Sequence, residues 1–185
     1  MTPQAPDTAQ TPAPDDLFAR AARHLIDAEG GYVDDPADPG GETKFGISKR
    51  QYPQLRIATL TYDQALAIYR TDYWGHYQCA ELPPALGVFL FDAVVNHQPK
   101  VAVRFVQQAL RITADGIIGP ITLRAARQAA ALSSYAEVIA MAFAYRTDFY
   151  HDLVNANPRQ ERFLLGWFKR LFRLQQFLAT LEAAA

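Results

Sequence analysis

Apolar positions recur at helical spacing along most of the chain. Leu17, Ala21, Leu25, Ile26 and Ala28 form one such face. Asp15 or Asp16 stands where a cap belongs, and Gly30-Gly31 stands where the helix should stop. Two prolines and four glycines between Gly31 and Gly46 then exclude a helix. They predict an irregular β-hairpin or loop lobe over 31–48. Thr61-Tyr-Asp-Gln64 has the form of a capping box opening a helix through Ala65, Ile68 and Tyr69. Pro83-Pro84 opens an almost continuously apolar run, Ala85 to about His97, expected to be the central buried helix. Another helix covers Val101 to Leu110. Asp115-Gly116-Ile-Ile-Gly119-Pro120 is a tight turn with Pro120 starting the next helix. A long helix covers roughly Tyr135 to Val154, and the last begins near Pro158. The pattern predicts a mostly α fold: a helical bundle around a central apolar helix, with one small β-hairpin lobe.

Composition narrows this picture. A chain of 185 residues, half of them hydrophobic, is long enough for one domain with a proper core. A net charge of −1 argues against nucleic acid as the main partner. The charge is uneven: residues 1–80 carry 7 Lys and Arg against 11 Asp and Glu, and residues 81–185 carry 11 against 8. Residues 1–16 are rich in Pro, Thr, Ala and Asp, and read as a disordered tail rather than a secretion signal. No segment is apolar enough to span a bilayer. The single cysteine, Cys79, excludes an intramolecular disulfide and reads as a small, partly buried thiol.

The chemistry concentrates between residues 29 and 48. Glu29 ends an apolar helix, where unpaired carbonyls place partial negative charge. That field and an apolar surround both raise a carboxyl pKa, as a general acid requires. Asp38, nine residues on, sits in a Pro- and Gly-rich double turn that keeps it rigid and hydrated, with an ordinary pKa. The hydroxyl of Thr43 can orient a water. Two carboxylates on opposite sides of a sugar ring are what glycosidic hydrolysis needs. Taken singly, the residues have plainer readings: a surface glutamate before a C-cap glycine, a turn aspartate, a strand threonine. Asp34, Asp35, Asp38 and Glu42 also invite a calcium reading, but their spacing does not follow the EF-hand pattern. No metal and no cofactor is expected.

The run Glu29-Gly-Gly-Tyr-Val-x-Asp-Pro-x-Asp38-Pro-Gly-Gly-x-Thr43-x-x-Gly-Ile resembles the N-acetylmuramidase endolysins of phages and prophages, glycoside hydrolase family 108. The resemblance continues at Leu60-Thr61, Ala65-x-x-Ile68-Tyr69, Tyr73-Trp74, Leu82-Pro83 and Phe91-Asp92-Ala93-x-Val95-Asn96. It then covers Ala102–Ala109 and Asp115-Gly116-x-Ile118-Gly119-Pro120-x-Thr122, where it looks like the peptidoglycan-binding-like region that accompanies the family. It departs at Ser48, where Thr is frequent, and at His97, where Gly is frequent. The resemblance implies a lysozyme-like α+β fold with the active site in the β lobe. It implies cleavage of the β-1,4 bond between N-acetylmuramic acid and N-acetylglucosamine. Glu29 is then the proton donor, and Asp38 and Thr43 place the water. The implied organisation is a catalytic region over 17–97 and a helical peptidoglycan-binding-like region over 98–185, packed into the same domain. Such an enzyme is made in the host cytoplasm without a signal peptide and acts in the periplasm or cell wall after release. A lytic transglycosylase, or a wall-binding or secretion-helper protein without catalysis, are the competing readings.

Tyr32, Phe45, Tyr73, Trp74 and Tyr77 flank these segments and are candidate sugar platforms, with core packing as the alternative. Asn96 ends an apolar helix, and its amide suits an N-acetyl group. The last helix carries Phe163, Trp167, Leu171, Leu174, Leu178 and Leu181 as a core face. Arg162, Lys169, Arg170 and Arg173 lie on or near the other side, a solvated face or a contact for anionic lipid or lipopolysaccharide. Peptidoglycan strands are the expected partner, and the protein is expected to be a monomer.

Overall fold

Helix α1, Pro14–Glu29, starts on a proline, whose missing N–H is no loss in the first turn. Asp15 and Asp16 therefore lie inside the helix, not at its cap, and residues 14–16 are helical rather than part of a tail. The computed structural model describes residues 14–29, 32–34 and 41–182; the rest of the expected tail, 1–13, lies outside them. Leu17, Phe18, Ala21, Ala22, Leu25 and Ile26 form the buried stripe of α1. Its Phe18 meets Trp74 edge-on, with ring centroids 5.7 Å apart, and Phe91 at 6.0 Å.

The β lobe reduces to strands β1, Thr43–Lys44, and β2, Ile47–Ser48, paired antiparallel in the register Thr43↔Ser48 and Lys44↔Ile47. Phe45 and Gly46 form the two-residue loop, both at positive φ (55° and 77°). That is the type I′ geometry that matches strand twist. Helix α2, Tyr62–Ile68, begins with the expected capping box: Thr61 Oγ1 accepts from the Gln64 N–H, and Gln64 Oε1 accepts from the Thr61 N–H. The chain then continues as a π-helical segment, Tyr69–Gly75, a feature the sequence pattern did not announce. The wider turn buries Tyr69, Tyr73 and Trp74 together.

Helix α3, Pro84–Asn96, is buried at every position from Ala85 to Val94. Gly87 is obligatory there, because a Cβ would lie 2.3 Å from the Cys79 carbonyl oxygen. Helices α4, Pro99–Ala109, and α5, Pro120–Ala130, each open on a proline. Between them, buried Gln107 donates to Asp115 Oδ1 (2.7 Å) and accepts from the Gly116 N–H (2.8 Å), which fixes the tight turn. Helix α6, Tyr135–Ala156, packs on α4. A 3₁₀ turn, Pro158–Phe163, leads into helix α7, Leu164–Glu182, which lies against α3 and α6. The result is a mostly helical protein with one small antiparallel sheet. Among the described residues, no helix is long and apolar enough to cross a membrane.

Candidate active site

Thr43 is the best-fixed residue of the lobe. Its backbone pairs with Val33 on one side, through two 2.8 Å hydrogen bonds, and with Ser48 on the other. Its hydroxyl donates to the Gly41 carbonyl over a long 3.3 Å, a contact an incoming water can compete for. Tyr32, exposed, donates to Glu42 Oε1 at 3.1 Å. Ile47, fully buried, anchors the hairpin to the helical body.

The hairpin is tied down a second time by the π-helical segment. Tyr69 donates to the Phe45 carbonyl at 2.8 Å, Tyr52 donates to Asp72 Oδ2 at 2.8 Å, and Gln51 donates to the Tyr73 hydroxyl. Burial and the neighbouring Asp72 carboxylate push the Tyr52 phenol well above its ordinary range, and burial raises Tyr73. Both are fixed hydrogen-bonding groups rather than acids at neutral pH.

Glu29 is the last residue of α1, one turn beyond buried Leu25 and Ile26. Its side chain and all of Asp38 lie outside the described residues. The calcium reading falls partly there too, through Asp35 and Asp38. Among the described residues, no group of three or more His, Cys, Asp or Glu could hold a metal.

The proposed sugar platforms divide. Tyr32 is open to solvent and Phe45 is half-buried at the loop tip, its ring edge-on to Tyr62 at 5.9 Å. Tyr77 is half-buried against the core, and burial raises its phenol. Tyr73 and Trp74 need correction: they are only 7% and 5% exposed, because the π-helical turn directs them into the core. Both belong to the buried core, the alternative reading of these aromatics. Cys79 is fully buried, and burial pushes its thiol up, away from any reactive thiolate.

A charged network that the sequence pattern missed lies behind the C-terminal end of α3. Asp92, 4% exposed, accepts from Arg146 Nη1 at 2.6 Å and from Arg170 Nε at 3.1 Å, and its Oδ2 lies 3.0 Å from Arg170 Nη2 as an ion pair. Burial opposes its ionisation, but Arg170 and Arg146 outweigh this and hold its pKa down at about 2. Arg146, fully buried, also donates through Nε to His97 Nε2 at 2.9 Å. Burial and the Arg146 charge depress His97 to about 3, so its imidazole is neutral. With its amide oxygen turned toward the guanidiniums, Asn96 accepts from Arg146 Nη2 (3.0 Å) and Arg170 Nε (3.2 Å). That oxygen is therefore committed to the protein, and only the NH₂ group can meet a ligand. Arg170 is a second correction: it belongs to this network, 15% exposed, and not to a solvated basic face. A lone aspartate inside the apolar run of α3 was the available signal, since a buried carboxylate demands a cation. Between α1, α3 and α7 a cavity of about 190 Å³ is lined by His24, Asp92, Asn96, Trp167 and Arg170.

Residues 22–97 match the family described as glycosyl hydrolase 108, and residues 101–172 match a predicted peptidoglycan domain. Among solved structures, SagA of Brucella abortus is similar over 90% of this chain and 96% of its own, at 27% identity and a TM-score of 0.75. No curated protein matches.

Proposed function

Because its residues 22–97 belong to glycosyl hydrolase family 108, we propose that this glycoside hydrolase of peptidoglycan is a lysozyme-type N-acetylmuramidase. It cleaves the β-1,4 bond between N-acetylmuramic acid and N-acetylglucosamine. Glu29 protonates the leaving sugar oxygen from the end of α1. Asp38 and Thr43 hold the attacking water on the opposite face of the ring, and the anomeric centre inverts. Residues 101–172 hold the glycan strand near the lobe. The observation that carries this reading is Thr43, locked between Val33 and Ser48 with its hydroxyl only weakly engaged. On this reading the protein works as a monomer outside the cytoplasmic membrane, where a phage or prophage would use it to lyse the host wall.

Mass spectrometry of the products tests it. Purified peptidoglycan digested by the protein should yield fragments with reducing N-acetylmuramic acid ends. Anhydro-muramic ends would show a lytic transglycosylase, and intact glycan would show a binding protein. The same digestion by Glu29→Gln should be at least about a hundredfold slower. A folded variant keeping a tenth of the activity would remove Glu29 from the role of acid.

A further inference from the structure

The outward face of α7 has an unusual composition. Leu165, Lys169, Phe172 and Gln176 follow one another at spacings of four, three and four, so they form a single stripe. They lie opposite the buried Leu171, Leu174, Leu178 and Leu181. Leu165 is 67% exposed and Phe172 62%, among the most exposed large apolar side chains described. Arg173 borders the stripe, Arg162 stands on the turn before it, and both are exposed, as is Lys169. No carboxylate occurs in α7 before its last residue, Glu182.

We propose that this face rests on an anionic lipid bilayer, with the helix in the plane of the interface. Leu165 and Phe172 enter the headgroup boundary, and Arg162, Lys169 and Arg173 meet lipid phosphates. Charge decides between this surface and a second copy of the chain. Two copies joined face to face about a twofold axis would set these cations against one another. An anionic leaflet complements all three. The helix has 19 residues, and only two of its large apolar groups face outward. The contact is therefore reversible and compatible with an enzyme that must also reach the wall. The surface is independent of the assignments at Glu29 and Thr43.

The test is cosedimentation of the full chain with vesicles of phosphatidylcholine alone and of phosphatidylcholine with phosphatidylglycerol. Binding should require phosphatidylglycerol and weaken as salt is raised. Each basic side chain near an anionic surface contributes roughly fivefold, so Arg162→Gln/Lys169→Gln/Arg173→Gln should lose on the order of a hundredfold. Leu165→Gln/Phe172→Gln should lose at least about tenfold at unchanged charge, and on the order of a hundredfold if both side chains are fully buried. Both variants change only exposed residues. Each should keep the wild-type melting temperature, so that a loss of vesicle binding is not a loss of fold. Equal binding to neutral vesicles, or equal binding by wild type and either variant, overturns the proposal. A concentration-dependent dimer that Leu165→Gln/Phe172→Gln abolishes, with no vesicle binding, overturns it in favour of a second copy.

Discussion

The hydroxyl of Tyr69 lies 2.8 Å from the carbonyl oxygen of Phe45, the residue at φ 55° in the hairpin loop. A type I′ loop needs two left-handed residues, and glycine supplies only the second. Holding Phe45 in that region costs on the order of 1–2 kcal/mol. The Tyr69 hydrogen bond, from inside the core, offsets part of that cost. The π-helical segment thus holds the loop of the hairpin whose first strand carries Thr43.

Tyr69→Phe keeps the ring in the core and removes this bond. Stability should fall by about 1 kcal/mol, the usual worth of a hydrogen bond. If Thr43 orders the water, turnover should fall several-fold with KM nearly unchanged, because binding does not depend on that water. Steady-state kinetics on purified peptidoglycan, with a thermal melt, separates the two effects. Wild-type turnover at lowered stability would show that the loop holds itself.

Inversion is the second expectation. NMR of the first-formed reducing sugar should show the α anomer from the β-linked glycan, before mutarotation. The same mechanism requires Glu29 and Asp38 carboxyls roughly 6.5–9.5 Å apart in a crystal structure. A separation near about 5 Å, or a trapped glycosyl-enzyme, would establish retention instead.

Local signals carried far in this chain. The Thr61–Gln64 capping box, the helix-opening prolines and the glycine-rich hairpin are decided within a few residues, and each is visible in the sequence. The motif from Glu29 to Ile47 carries the family for the same reason. Long-range pairing was not legible. Arg146 lies 54 positions from Asp92 and Arg170 lies 78 positions from it, so only tertiary packing brings them together. Grouped by charge with Arg162, Lys169 and Arg173, Arg170 was read as solvent-facing, although it stands three residues after Trp167 and four before Leu174, at the edge of the core face where a carboxylate on α3 can reach it. The π-helical turn is equally silent in the sequence. It packs Trp74 against Phe18 and Phe91, Tyr69 against Phe91 and Tyr73 against Tyr69, and it is why two promising aromatics became core.

The Asp92 network yields a third prediction. Asp92→Asn leaves the fully buried Arg146 without its anion, and breaking a buried pair from one side costs about 3–5 kcal/mol. The exposed pair Arg127–Glu81, 3.1 Å apart, is the control, with an expected cost below about 1 kcal/mol for Glu81→Ala. Urea denaturation of both variants checks the contrast. Comparable losses would mean that Arg146 finds other compensation in the core.

The fourth prediction concerns pH. His97 has an ordinary pKa of 6.5 and is depressed to about 3 in the fold, first by burial and then by the Arg146 guanidinium. The folded state therefore keeps a neutral imidazole, with Nε2 accepting from Arg146, while the unfolded chain takes up a proton below 6.5. Between these two values the unfolded state binds more protons, so stability must fall as pH falls through that window. His97 alone should cost on the order of a few kcal/mol by roughly pH 4. Asp92 adds nothing there. Its pKa is lowered from 3.8 to about 2, so its contribution is intact above 3.8 and is lost only on further acidification. His24, also depressed by burial, acts in the same direction as His97, so a single-variant comparison is needed. His97→Gln supplies it: the amide oxygen can still accept from Arg146, and no proton is taken up. Urea midpoints measured from roughly pH 7.5 down to pH 4 should fall less steeply for the variant than for the wild type. Parallel slopes would mean that His97 is protonated in the fold, and the Arg146 contact would then have to break in acid.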